Sequence, residues 1–184
     1  MDCTYCDTRY ANEPDTGTDM AVPELVELSV ESGSPLVEIT GGEPLLSKEL
    51  PELCRALLAR GLKVLVETNG SLPVDALPSG VVCIIDCKTP SSGHSDDMCL
   101  ANFSSPPPGS QVKFVIGSEI DYRFAVDFIE RYELVDKVDE ILFSPVAEAA
   151  FSRQLCEWMI RDKSPARLQL QLHKYIWPPE TRGV

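Results

Sequence analysis

Two cysteines, Cys3 and Cys6, stand at C-x-x-C spacing in the opening stretch MDCTYCDT. Such a pair can be half of a zinc site, a redox dithiol, or part of an iron–sulfur cluster. A closed zinc site needs two more ligands, and no second loop carries the spacing; Cys83 and Cys87 are C-x-x-x-C inside an apolar strand. A thioredoxin-type dithiol should open a helix directly after a strand, and CDTRYANEPDTGTDM does not read as a helix. The second motif is EITGGEPLL, residues 38 to 46. Gly41 and Gly42 follow a strand, permit backbone conformations barred to other residues, and let a ligand approach the main chain. At the C-terminal end of a strand with a polar face, GGEP reads as a ligand-binding loop.

The elements that must position these residues follow from the hydrophobic period, which switches repeatedly. PELVELSVESG reads as a helix from Pro23 to Gly33, and PLVEIT as a strand. SKELPELCRALLARG reads as a helix with Ser47 at its N-cap and Gly61 at its stop. KVLVET, VVCIID, QVKFVI and DEILF read as strands, with helices over DYRFAVDFIERYELV and AEAAFSRQLCEWMIRD; RLQLQL is the last strand. Alternating strands and helices imply a parallel α/β sheet. Between the third and fourth strands no helix is expected, and GHSDDMCLANFSSPPPGS forms a long loop there.

The strand faces carry more information. Side chains alternate along a strand, so Glu38 and Thr40, Glu67 and Asn69, Asp86 and Lys88, Gln111 and Lys113, and Gln169, Gln171 and His173 each share a face opposite apolar partners. Central parallel strands are normally apolar on both faces. Polar faces on five strands predict a partial (β/α) barrel of about six strands around a wet lumen that takes a polar ligand; the alternative is an open sheet with one solvated face.

The chain has 184 residues, 43% hydrophobic and 24% charged, enough for one domain with a substantial core. Its net charge of −13 argues against binding nucleic acid, which needs basic surface. No apolar run is long enough for a bilayer and no leader is visible, so a soluble cytoplasmic protein is expected, without membrane partners. Seven cysteines, an odd number, point to metal or redox chemistry rather than a secreted disulfide framework. Cys54, Cys83 and Cys156 read as buried small hydrophobes, and Phe151 and Trp158 as core. His94, in the long loop, has no polar-face company.

A cysteine loop followed by GGEP at the end of the next strand resembles the radical S-adenosylmethionine enzymes. CDTRYA, EITGGEPLL, ETNG, DCKTPSS, QVKFVI, SPV and LQLQLHKYIW, in this order, resemble more narrowly the 7-carboxy-7-deazaguanine synthase family, over essentially the whole chain. GGEP is shared by many radical enzymes; CDT, D-x-K-x-P-S-S and QLHKxIW are more specific. The resemblance implies a 4Fe-4S cluster, S-adenosylmethionine and Mg²⁺. It implies a ring-contracting lyase that converts 6-carboxy-5,6,7,8-tetrahydropterin to 7-carboxy-7-deazaguanine with loss of ammonia, on the route to queuosine and related 7-deazapurines. It also implies a homodimer and an electron donor such as flavodoxin or ferredoxin.

By the same resemblance, Cys3 and Cys6 are cluster ligands and Thr8 the Mg²⁺ ligand. Thr40, Gln171 and His173 meet the substrate. Gly41, Gly42, Glu43, Asn69, Lys88, Ser91 and Ser92 meet S-adenosylmethionine. The family's cluster motif, C-x-x-x-C-x-x-C, has one more cysteine four positions before Cys3, where this sequence has no residue. A single domain spanning residues 1 to 184, shortened at its N-terminus by the first cysteine and first barrel strand, is therefore expected. Three alternatives stand beside this reading: a glycyl-radical activase, a cluster-less pterin- or nucleotide-binding protein, and a zinc module on Cys3 and Cys6.

Overall fold

The computed structural model describes residues 1–5, 17–146, 149–178 and 181. Six parallel strands form one sheet in the order β1-β2-β3-β4-β5-β6. They are β1 (Leu36–Ile39), β2 (Lys63–Thr68), β3 (Val81–Cys87), β4 (Gln111–Ile116), β5 (Glu140–Pro145) and β6 (Arg167–Leu168). Helix α1 (Val22–Glu31) precedes β1, and α2 (Leu50–Ala59) links β1 to β2. α3 (Ala101–Ser104) lies between β3 and β4, α4 (Glu119–Tyr132) between β4 and β5, and α5 (Ala149–Arg161) between β5 and β6. α6 (His173–Ile176) follows β6. Each strand neighbours the one before it in the chain. The sheet is not closed, and its winding is that of a partial (β/α) barrel.

Alternation divides the sheet as the sequence implies. Val64 and Val66, Val81, Cys83, Ile85 and Cys87, Val112, Phe114 and Ile116, and Ile141 and Phe143 face the helices and are buried there. Leu57 of α2 and Tyr122, Ala125, Phe128 and Ile129 of α4 complete this core. Phe128 meets Phe103 edge-on at 5.0 Å and Phe114 at 6.0 Å between ring centroids. Trp158 and Phe151 pack against the same core, as expected. Among the described residues no helix is long and apolar enough to cross a membrane.

Several local expectations are corrected. Ser47 does not cap α2: the N-cap is Glu49, and the Ser47 hydroxyl accepts from Glu49 N at 3.3 Å, closing the turn ahead of the helix. Pro44 opens a 3-10 turn, Pro44–Leu46, between β1 and α2. The crossover from β2 to β3 lacks a helix, as does most of the one from β3 to β4. Asn102 fills the gap. Its side chain is buried, accepts from Val74 N at 3.2 Å and donates to Leu72 O at 2.9 Å, so it does for two loops what backbone ladders do elsewhere. Cys54 and Cys83 are buried as expected, whereas Cys156 is only half-buried.

The two buried thiols carry a pH signature. Burial pushes both Cys54 and Cys83 up to about 11. An acid with a higher pKa folded than unfolded contributes stability that is complete below its unfolded pKa and is lost as pH rises through the folded value. The urea midpoint should therefore fall as pH climbs from the ordinary thiol pKa of 9 towards 11. A Cys54→Ala/Cys83→Ala protein should show a flatter decline over the same window; an equally steep one would mean that other groups govern alkaline unfolding.

Candidate active site

The polar strand faces converge at the C-terminal ends of the strands on one cavity of about 550 Å³, the size of a cofactor or small-ligand site. Thr40, Gly41 and Gly42 follow β1, Asn69 follows β2, and Lys88 follows β3. Glu38, Glu67, Asp86, Lys113 and Ser144 line it from within their strands, while Gln169, Gln171 and His173 close one side. Cys3 and Tyr5 line it as well, beside Lys88. Thus Cys3, Thr40, Gly41, Gly42, Asn69, Lys88, Gln171 and His173, singled out from sequence, line a single space. Cys6 and Thr8 lie outside the described residues.

A chain of alternating charge runs along the wall. Glu67 pairs with Lys113, Lys113 with Asp86 at 3.2 Å, and Asp86 with Lys88 at 2.7 Å. Lys113 is the direct cross-strand partner of Asp86 in the β3–β4 register. The chain is neutral in sum within a strongly acidic protein, so it adds polarity to the cavity without net charge. Burial alone would lower Lys88. The Asp86 carboxylate outweighs that, Cys3 and Tyr5 act in the same direction, and the ammonium is held above its ordinary range. Burial pushes Tyr5 up to about 12, with Lys88 pulling it down, so its hydroxyl keeps its proton.

Gln111 was expected to face the same ligand as Lys113. It does not line the cavity, because it is the first residue of β4, two positions below Lys113. Ile84, its direct partner in the β3–β4 register, shares that depth and face and does not line the cavity either. The RLQLQL strand is also shorter than its alternation implies. β6 ends at Leu168; Gln169 N still donates to Phe143 O at 2.9 Å, and His173 then begins α6.

Glu43 and the two serines stand elsewhere. The Glu43 carboxylate accepts from Leu45 N at 3.0 Å and Asn69 N at 2.8 Å, and from the Thr68 hydroxyl at 2.8 Å. It ties the glycine turn to the end of β2. Gly41 has φ of +139°, a conformation that keeps the position for glycine. Ser91 and Ser92 do not line the cavity; Ser92 is buried and its hydroxyl donates to Thr89 O at 2.6 Å. Sequence reasoning passed over Tyr5, and Ser144 was visible only as one residue of an SPV motif.

The chemistry of the lining fits a polar cofactor and a thiolate-held metal group. One buried thiol, Cys3, opens onto the cavity. Gln169 presents a buried Oε1 with no hydrogen-bond partner among the described residues, an acceptor left for a donor in the cavity. Among the described residues no group of three or more His, Cys, Asp or Glu side chains is gathered to hold a metal ion.

Comparison with known proteins agrees with this arrangement. The Radical SAM superfamily model matches residues 1–80. The 7-carboxy-7-deazaguanine synthase of Chlorobaculum tepidum is 46% identical over 185 residues, covering 99% of this chain and 83% of the relative. That of Koribacter versatilis is 38% identical, covering 99% and 86%. That of Clostridium acetobutylicum is 35% identical, covering 100% and 86%. Streptococcus suis SuiB, in a crystal structure with its precursor peptide SuiA, shares the fold: TM-score 0.68, 12% identity, 92% of this chain. A structure of SuiB bound to S-adenosylmethionine gives 0.63 at 14% identity over 91% of this chain. The chain spans just under half of SuiB, 45% and 43% respectively. At 46% identity over almost its whole length, the chain belongs to the 7-carboxy-7-deazaguanine synthase family of the radical SAM superfamily.

Proposed function

We propose that this protein forms 7-carboxy-7-deazaguanine from 6-carboxy-5,6,7,8-tetrahydropterin, releasing ammonia, as a radical SAM lyase of 7-deazapurine biosynthesis. The observation that carries this reading is the convergence of Cys3, the Gly41-Gly42 turn and the Gln169–His173 segment on one polar cavity. A 4Fe-4S cluster and S-adenosylmethionine, when bound there, would supply one-electron chemistry able to abstract a hydrogen atom from the substrate. Cys3 and Cys6 would supply two of the three cysteine thiolates of the cluster motif, and the Thr8 hydroxyl is an oxygen donor suited to Mg²⁺.

The remaining residues bind and orient. The open main chain at Gly41 and Gly42 meets the polar end of S-adenosylmethionine, with Glu43 fixing the turn from behind. Asn69 and Lys88 face the cofactor side. Thr40, Gln171 and His173 face the pterin, and the unpartnered Gln169 oxygen accepts from one of its N–H groups. The Gln171 amide lies 3.5 Å from both the Ser144 hydroxyl and the Pro145 carbonyl, which keeps the Gln169–His173 segment beside the end of β5. A flavodoxin- or ferredoxin-type protein delivers the electron. The working unit is a homodimer, for which the exposed Leu172, Tyr175, Ile176 and Trp177 offer apolar surface.

The test is anaerobic reconstitution with iron and sulfide, followed by addition of S-adenosylmethionine, Mg²⁺, a reductant and the carboxytetrahydropterin. The expected result is a product with deazapurine absorbance and the mass of 7-carboxy-7-deazaguanine, with one ammonia per turnover. 5′-Deoxyadenosine without that product would point to a different radical SAM substrate. Zinc bound without iron or sulfide would overturn the cluster assignment.

A further inference from the structure

Both neighbours of Cys3 are held by one loop, residues 89–97. Asp2 N donates to His94 Nε2 at 3.3 Å. The Thr4 hydroxyl donates to Ser91 O at 2.7 Å, and Thr4 N donates to Ser92 O at 3.4 Å. The loop is itself secured. Ser92 Oγ accepts from His94 N at 3.0 Å while donating to Thr89 O, and the Thr89 hydroxyl donates to Val115 O at 2.8 Å. Ser91 N donates to Asp121 Oδ1 at 2.9 Å, and Asp121 Oδ2 accepts from Gly117 N at 2.9 Å. Asp121 is fully buried in the first turn of α4. His94 Nδ1 lies 2.7 Å from Asp97 Oδ2. A carboxylate accepts, so Nδ1 carries the hydrogen and Nε2 offers its lone pair to Asp2.

We infer that residues 89–97 form a clasp that fixes the backbone on both sides of Cys3 and thereby sets the direction of its thiolate, with His94 and Thr4 as positioning residues. A thiolate that must meet a metal group at fixed geometry gains from partners that order it beforehand. The clasp gives the serines of DCKTPSS a purpose other than ligand contact: their carbonyls grip Thr4, and the Ser92 hydroxyl shapes the loop. The inference rests on the proposed role of Cys3 as a cluster ligand, and the geometry is that of the chain alone.

The test uses the whole chain without its cluster. Cys3 is 7% exposed and Cys83 only 1%. Alkylation by iodoacetamide, mapped by mass spectrometry, reports how often each thiol is released. His94→Leu and Thr4→Val should each raise the Cys3 rate about fivefold, the factor set by losing one ordinary hydrogen bond. Cys83 should not change. His94→Gln, whose amide oxygen can accept from Asp2 N, should return the Cys3 rate towards that of the parent. After reconstitution, the leucine and valine variants should lose iron to a chelator faster than the glutamine variant. An unchanged Cys3 rate in His94→Leu overturns the clasp, and so does an equal rise at Cys83, which would mean general loosening. If the clasp result holds but no deazapurine forms, only the functional reading falls; product formation with flat alkylation removes the clasp alone.

Discussion

Replacing Gly70 by alanine should destabilise the fold by about 2–5 kcal/mol, adding a left-handed conformation penalty to overpacking. Gly70 has φ of +78°, and a Cβ there would stand 2.4 Å from the Asp86 carbonyl oxygen. Backbone atoms have no rotamer by which to yield. Relief must come from moving β3 away from the turn after β2, and Asp86 is the residue displaced. Asp86 holds both Lys88 and Lys113, so the charge chain of the cavity is lost with it. Gly33 supplies the control: its φ is +70°, but nothing lies within 4 Å of its would-be Cβ. Gly33→Ala should cost about 1–2 kcal/mol, the conformational part alone. Urea unfolding of the two variants separates strain from crowding, and equal midpoints would refute the close approach.

The second large effect is at Glu43, where glutamine should be nearly as damaging as alanine. Each carboxylate oxygen accepts from a backbone N–H, Leu45 on one side and Asn69 on the other. A glutamine has one oxygen, so its NH₂ group must face the other N–H, donor against donor. Leaving a buried backbone donor without an acceptor costs about 1–3 kcal/mol, and the half-buried Leu45 and Asn69 donors fall in the lower half of that range. Glu43→Gln should therefore lower stability by that amount and raise hydrogen exchange at Leu45 or Asn69, and the glycine turn beside it should bind S-adenosylmethionine more weakly. A Gln variant as stable as the parent, with both amides still protected, would show that the carboxylate does not staple β1 to β2.

The lumen was legible because alternation is a local property. Whether Thr40 or Ile39 faces inward follows from the strand pattern, and no distant residue can alter it. The same logic misread depth. Gln111 has the correct face but lies at the wrong height, and height depends on register with β3. RLQLQL failed for a related reason. Continued alternation needs a partner strand on one side and a helix above, whereas Leu172 is 60% exposed and the chain turns into α6. The roles of Glu43 and His94 were hidden by sequence distance. The partners of Glu43 at the end of β2 and just after it lie 25 and 26 residues away, and Asp2 lies 92 residues from His94. The helical and strand patterns around Cys54 and Cys83 placed both correctly, since burial of a thiol outside any disulfide needs only an apolar neighbourhood.

Sequential strand order has a consequence for synthesis. Every strand after β1 pairs with the one just made, so a nascent chain always offers one fresh edge to the next strand. With translation proceeding at about 5–20 residues per second, the sheet can assemble in the order it leaves the ribosome, without waiting for a distant partner. The ligand pocket does not share that schedule. Its first wall carries Glu38 and Thr40, and its last carries Gln169, Gln171 and His173, more than a hundred positions later. A chain halted after β5 would hold the charge chain, the glycine turn and the loop around Cys3, yet stand open on one side. Assembly of the scaffold and readiness for ligand are thus separate events in the life of the molecule, and the second waits for the segment that follows the last strand.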